Sequence, residues 1–166
     1  MQAFTKLTVS LILIALSTVV PAAAHAGVTV EADVVVTDDA GGTLTLISSA
    51  THELAGSNVL TTADFEGFRP KPDGRTLDGE IVRVRNRDVE SIEATYDGSL
   101  DISGPAAEDG IDTLQLDGLT VLRNRDGQGP ELSGTVVFNG QSFDADELPD
   151  ALAGALRRVL RLFHFA

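Results

Sequence analysis

The chain has 166 residues, a formal net charge of −13 and no cysteine, which excludes disulfide staples and thiol nucleophiles. Such acidity argues against holding nucleic acid through the overall field. The length suits one domain with its own core, whose stability must come from burial and backbone pairing.

Residues 1–26 read as a cleaved signal peptide. Lys6 is their only charge, an apolar run extends from Leu7 to Val20, Pro21 ends it, and Ala24-His25-Ala26 supplies a small-x-small cleavage pattern. The run is too short for a bilayer span of about 20 residues, and no cysteine follows it to carry a lipid. The expected mature chain begins at Gly27, carries a net charge of −14 because Lys6 is lost, and is periplasmic or extracellular.

Residues 27–143 read as a β domain. Val28–Thr37 and Thr43–Ile47 flank Asp38-Asp39-Ala40-Gly41-Gly42, whose Asp and Gly residues suit a turn, so they predict a first hairpin. Ala50–Asn58 suits either a helical turn or a loop. Val59–Phe68 predicts a strand ended by Pro70-Lys71-Pro72-Asp73-Gly74, since proline cannot donate to a ladder.

A duplicated unit follows, at about 76–103 and 113–143. Leu77-Asp78-Gly79 leads through a β-branched run to Arg85-Asn86-Arg87-Asp88, and Leu116-Asp117-Gly118 leads to Arg123-Asn124-Arg125-Asp126. Each copy predicts a hairpin with Asn86 or Asn124 at or beside its tip. Asp97-Gly98 and Asn139-Gly140 are read as the turns that close the return strands, and Asn-Gly tolerates the positive φ of a type I′ turn. Two copies are too few for a solenoid. In the first copy the register that pairs Arg85 with Ser91, Val84 with Ile92, Arg83 with Glu93 and Val82 with Ala94 sets the valines on one face and the arginines on the other. Eight or nine short strands predict an all-β antiparallel sandwich or up-and-down barrel.

Residues 144–166 predict one C-terminal amphipathic helix, running from about Asp146 as N-cap to Phe163. Leu148, Leu152, Leu156, Val159 and Phe163 share its apolar face, and Arg157, Arg161 and His164 lie opposite. That face serves either as packing against the β domain or as a docking face for a membrane surface or partner.

Motif chemistry is sparse. His52-Glu53-Leu54-Ala55-Gly56 opens like a zinc-protease motif, but Gly56 stands where the second histidine belongs. Asp144-Ala145-Asp146-Glu147 lacks the glycine and terminal glutamate of a calcium loop. No metal site and no cofactor are therefore expected. Arg83, Arg85, Arg87, Arg123 and Arg125 gather five of the ten arginines into two short segments. They are the candidate anion-binding residues, suited to an anionic glycan or lipid headgroup. The alternative role for them is pairing with Glu90, Glu93, Asp88 and Asp126. The expected function is an exported non-catalytic binding or envelope structural module that does not bind nucleic acid. The competing expectations are a carboxylate-based hydrolase acting on glycans, with no catalytic pair assignable from sequence, and a carrier holding an amphiphile in an apolar barrel interior.

Overall fold

Among the described residues, nine antiparallel strands pair in the order in which they occur along the chain, followed by one α-helix. The computed structural model describes residues 8–12, 28–71, 74–104, 110–125, 127 and 129–165. The strands are β1 (Thr8–Ile12), β2 (Val28–Thr37), β3 (Thr43–Glu53), β4 (Gly56–Phe68), β5 (Thr76–Arg87), β6 (Ser91–Ser103), β7 (Thr113–Asn124), β8 (Glu131–Phe138) and β9 (Gln141–Asp144). Short β1 lies on the outer edge of β2, with Thr8 opposite Thr37 and Ile12 opposite Asp33. The cleavage pattern at Ala24-His25-Ala26 and Asp126 of the second repeat lie outside the described residues, as does most of the Gly104–Gly110 loop.

Alternation sets the core. On β3, Leu44 and Leu46 are buried while Ile47 is 54% exposed, and on β4, Ala63 and Phe65 are buried. Because successive strand residues point to opposite faces, these side chains meet Ile81, Tyr96, Leu116, Leu119 and Val136 on one face of the sheet. Local turn chemistry ties the ends together. Asn139 takes φ 49° beside Gly140, as an Asn-Gly hairpin turn requires. Its side-chain oxygen accepts bonds from the Asp112 and Thr113 N–H groups at 2.7 and 2.9 Å. Ala50–Asn58 contains neither a helical turn nor a long loop: β3 continues to Glu53 and a two-residue turn, Leu54-Ala55, leads into β4.

Asp38 links the β2–β3 turn to the end of β4. Its carboxylate accepts the N–H groups of Ala40 (2.7 Å), Gly42 (3.0 Å) and Arg69. Burial alone would raise the Asp38 carboxyl, but backbone bonds from Arg69, Ala40, Gly42 and Gly41 outweigh it and hold the group below its ordinary value of 3.8. A depressed folded-state value means that protons favour the unfolded chain. This stabilisation is whole above about pH 3.8 and is lost as pH falls through the folded-state value. Asp38→Asn is expected to lower the melting temperature at neutral pH, and to flatten its decline between about pH 4 and pH 2 relative to the parent. Parallel acid limbs for the two proteins would show that other carboxyls govern the decline.

Three expectations for the repeats and tail are corrected. First, Asp97-Gly98 is not a turn. β6 runs without interruption from Ser91 to Ser103, and Gly98 stands where the β6–β7 register shifts. Its φ of 133° lets β6 pass so close to β5 that a Cβ on Gly98 would run into the Glu80 carbonyl oxygen. Gly79, φ 125°, is the reciprocal case, with its Cβ position against the Ser99 carbonyl, and Glu80 pairs with Ser99. The glycine of the first Leu-Asp-Gly motif thus serves a close strand crossing. Second, the β5–β6 register differs by three residues from the expected one: Arg83 faces Tyr96, Val84 faces Thr95, Arg85 faces Ala94 and Val82 faces Asp97. An odd slip exchanges the faces, so the arginines share the inner face with Ile81 and the valines turn outward. Third, the helix does not start at Asp146. Ala145–Glu147 is a separate 3-10 turn, Leu148 is extended (ψ 131°), and α1 spans Asp150–Leu160, with no side-chain cap at Pro149. A residue before proline is driven out of the α region, so Leu148 cannot belong to the helix. After α1, Arg161–Phe165 tightens into 3-10 geometry.

The apolar side of this tail lies in the core. Leu156, Val159 and Phe163 are buried, and Leu148 and Leu152 are half-buried against the same cluster.

Candidate arginine site on the inner face

The inner face changes character along β5. Ile81 belongs to the apolar core, but the next inward residues are Arg83, Arg85 and Arg87, two apart and therefore about 7 Å from Cα to Cα. Across the sheet the Arg83 row reads Ser48, Thr61, Arg83, Tyr96, Leu119. The Arg85 row reads Ala50, Val59, Arg85, Ala94, Val121, Leu132, and the row beyond it contains Ser57, Arg87, Ile92 and Arg123.

Arg83 is only 3% exposed, and with Thr61 it makes up the buried polar or charged side chains among the described residues. Its guanidinium donates to the Phe163 carbonyl oxygen at 2.8 Å and to the Thr61 hydroxyl at 3.1 Å. Ser48 in turn donates to Thr61 at 3.2 Å. The Phe163 ring lies 5.6 Å from the guanidinium carbon and meets Tyr96 edge-on, with ring centroids 5.5 Å apart. Burial pushes the Arg83 pKa down; Tyr96 pushes back up and neighbouring Arg85 adds to the fall. Burial raises the Tyr96 phenol, opposed by Arg83, Arg123 and Arg85. These influences place Tyr96 amid three cations.

No carboxylate figures among the influences on Arg83, and the Nε atoms of Arg83 and Arg85 are both shielded from solvent without a hydrogen-bond partner. A buried donor left unbonded costs about 1–3 kcal/mol, more when it is charged.

The five sequence candidates therefore divide. Arg83 is buried, Arg85 half-buried, and Arg87, Arg123 and Arg125 are exposed. Expected pairing of Arg83 with Glu93 is ruled out by register, since Glu93 stands opposite Asn86. Both tips lie at one end of the sheet, joined by a bond from the Arg125 N–H to the Glu90 carbonyl at 3.0 Å. Arg125 belongs to that joint, near Asp88. Asn86 is the last residue but one of β5, and Asn124 is the last residue of β7. A cleft of about 300 Å³ opens beside Arg87 at this end, lined also by Thr51, Glu53, Ser57, Asn58 and Asp88. The Asn58 amide donates to the Asn86 side-chain oxygen across it at 2.6 Å. Sequence reasoning missed Thr61, Tyr96 and Phe163 as partners of Arg83. The one signal available was that Tyr96 is the chain's single tyrosine, in phase with Ala94.

His52 lies exposed at the end of β3, not on a helix, and no cluster of three or more potential metal ligands occurs among the described residues. Comparison with protein-family models, with curated proteins and with solved structures found no match to the chain.

Proposed function

We propose that the protein is an exported, non-catalytic binding module whose working surface is the arginine-bearing inner face beside Tyr96. The observation that supports this reading is the line of arginines running outward from the core along β5, with Arg83 buried, Arg85 half-buried and Arg87 exposed beside exposed Arg123, a set of guanidinium groups suited to an oxyanion. The signal-like pattern of residues 1–26 supports export. The hydrolase alternative finds little support, because a glycosidase pair needs a carboxyl group in a desolvating setting and no buried carboxylate occurs among the described residues. Nor does the membrane-helix alternative, because Leu156, Val159 and Phe163 are already covered.

Native mass spectrometry of protein purified from the exported fraction tests the reading. An anionic small molecule is expected to accompany the parent and to be lost from Arg83→Gln/Arg85→Gln. Release of reducing ends from envelope glycans by the purified protein would overturn it in favour of the hydrolase.

A further inference from the structure

Removal of residues 1–26 opens one edge of the sheet. In the full chain β1 covers β2 from Asp33 to Thr37; without it β2, ten residues long, ends the sheet on that side. The opposite edge is β9, only four residues long. Sheet edges are commonly blunted by shortness, proline, lysine or a bulge. β2 has none of these: it contains no proline or lysine, and its register against β3 holds without a shift from Val28 opposite His52 to Thr37 opposite Thr43. The turn that follows fixes which of its backbone groups are free. The Asp38 N–H bonds the Gly42 carbonyl at 2.9 Å, and bonded and unbonded pairs alternate along an antiparallel ladder. Even-numbered residues of β2 therefore bond to β3, and Glu31, Asp33, Val35 and Thr37 turn their N–H and C=O groups outward.

Resting on the export reading, we infer that this edge pairs with a second copy of the chain, β2 alongside β2 across a two-fold axis. Charge chooses the register. With Val34 on the axis, Asp33 stands opposite Val35, Ala32 opposite Val36 and Glu31 opposite Thr37, so no carboxylate faces another. Sliding the copies to lengthen the overlap sets Asp33 against Asp33, then Glu31 against Asp33, and like charges placed opposite each other destabilise a pair. Sliding them the other way gives up outward bonds. The chosen register also continues the core: Val36 is buried and Val34 partly buried in the apolar cluster, and both meet their counterparts across the axis on that same face. Asp33 to Thr37 are the positions that β1 occupies in the full chain, so the leader keeps the edge closed and its removal frees the edge to pair.

Sedimentation of the protein purified from the exported fraction, with its intact mass read alongside, tests the pairing. A mass beginning at Gly27 and a dimer at about 100 µM are expected, since a ladder this short buries little area and holds weakly. Val35→Pro removes an outward N–H and leaves the bonds to β3 in place. It should give a monomer that melts within a few degrees of the parent. Val34→Cys reads the register independently. The chain has no cysteine, and an unbonded pair on the axis sets its two Cα atoms about 4.5 Å apart, within disulfide reach. Under oxidised glutathione Val34→Cys should cross-link almost completely and Thr29→Cys hardly at all. A protein that begins at Gly27 yet stays monomeric would overturn the inference and leave the export reading standing. So would a dimer untouched by Val35→Pro, or one in which Val34→Cys fails to cross-link. A monomer that instead takes up a synthetic peptide of residues 8–12 would overturn the second copy as the occupant. An exported protein that keeps residues 1–26 would remove the cleavage reading and the open edge together.

Discussion

Leu156→Asp is expected to cost the protein about 4 kcal/mol of folding stability and to lower its melting temperature sharply. Leu156 is 2% exposed in the middle of α1, between Leu152 and Val159 on the side that joins the sheet's core cluster. Substitution removes roughly 1.5–3 kcal/mol of apolar burial. It also places a carboxylate among hydrocarbon with no partner within the cluster, adding a penalty of at least about 2 kcal/mol unless the group takes up a proton. Together these reach about 4 kcal/mol or more, a large part of the roughly 5–15 kcal/mol typical of a single domain. Because the Phe163 carbonyl that follows α1 holds Arg83, loosening the tail also frees a buried guanidinium. Circular dichroism melting should show the loss in plain buffer, without lipid. A variant melting within a degree or two of the parent, yet unable to associate with anionic vesicles, would mean that the helix serves a membrane instead of the core.

A second large effect is expected from a single methyl group. Gly98→Ala puts a Cβ into the Glu80 carbonyl oxygen, at φ 133°, where L side chains are rarely found. The backbone conformation alone costs about 1–3 kcal/mol. Relief of the overlap needs β5 and β6 to separate at the Ile81–Gly98 pair, next to fully buried Ile81. The loss is expected to be about 3 kcal/mol or more, read as a lower denaturation midpoint with the urea slope little changed. Gly140→Ala makes a useful contrast. It carries positive φ but has nothing within contact distance of its Cβ position, so only the conformational part should be lost. Equal losses at the two positions would show that strand crossing adds nothing at Gly98.

Much of the architecture was written locally. Alternating runs produce strands because the pleat sends neighbours to opposite faces. The Asn139-Gly140 turn closes through its positive φ angles and the Asp38 turn through bonds to Ala40 and Gly42, both local, although each side chain also reaches a distant segment. The amphipathic run after Pro149 forms α1 for the same local reason, and Pro149 itself sets the boundary that a reading from Asp146 overlooked. Glycine was the ambiguous letter. The same positive φ serves a hairpin turn at Gly140 and a close strand crossing at Gly79 and Gly98, and only the neighbouring strand distinguishes them.

The candidate site belongs to the tertiary level. Residues 82–85 alternate valine and arginine, so either set can face inward, and local sequence favours valine. The observed β5–β6 register turns Arg83 and Arg85 inward instead. The charge becomes tolerable at Arg83 because Thr61 from β4, Tyr96 from β6 and the Phe163 carbonyl from beyond α1 converge on it. These partners lie 22, 13 and 80 residues away in sequence. The strands, hairpin turns and helix followed from side-chain alternation and backbone conformational preference. Which face the arginines share, and which groups receive Arg83 there, was decided only when distant segments packed together.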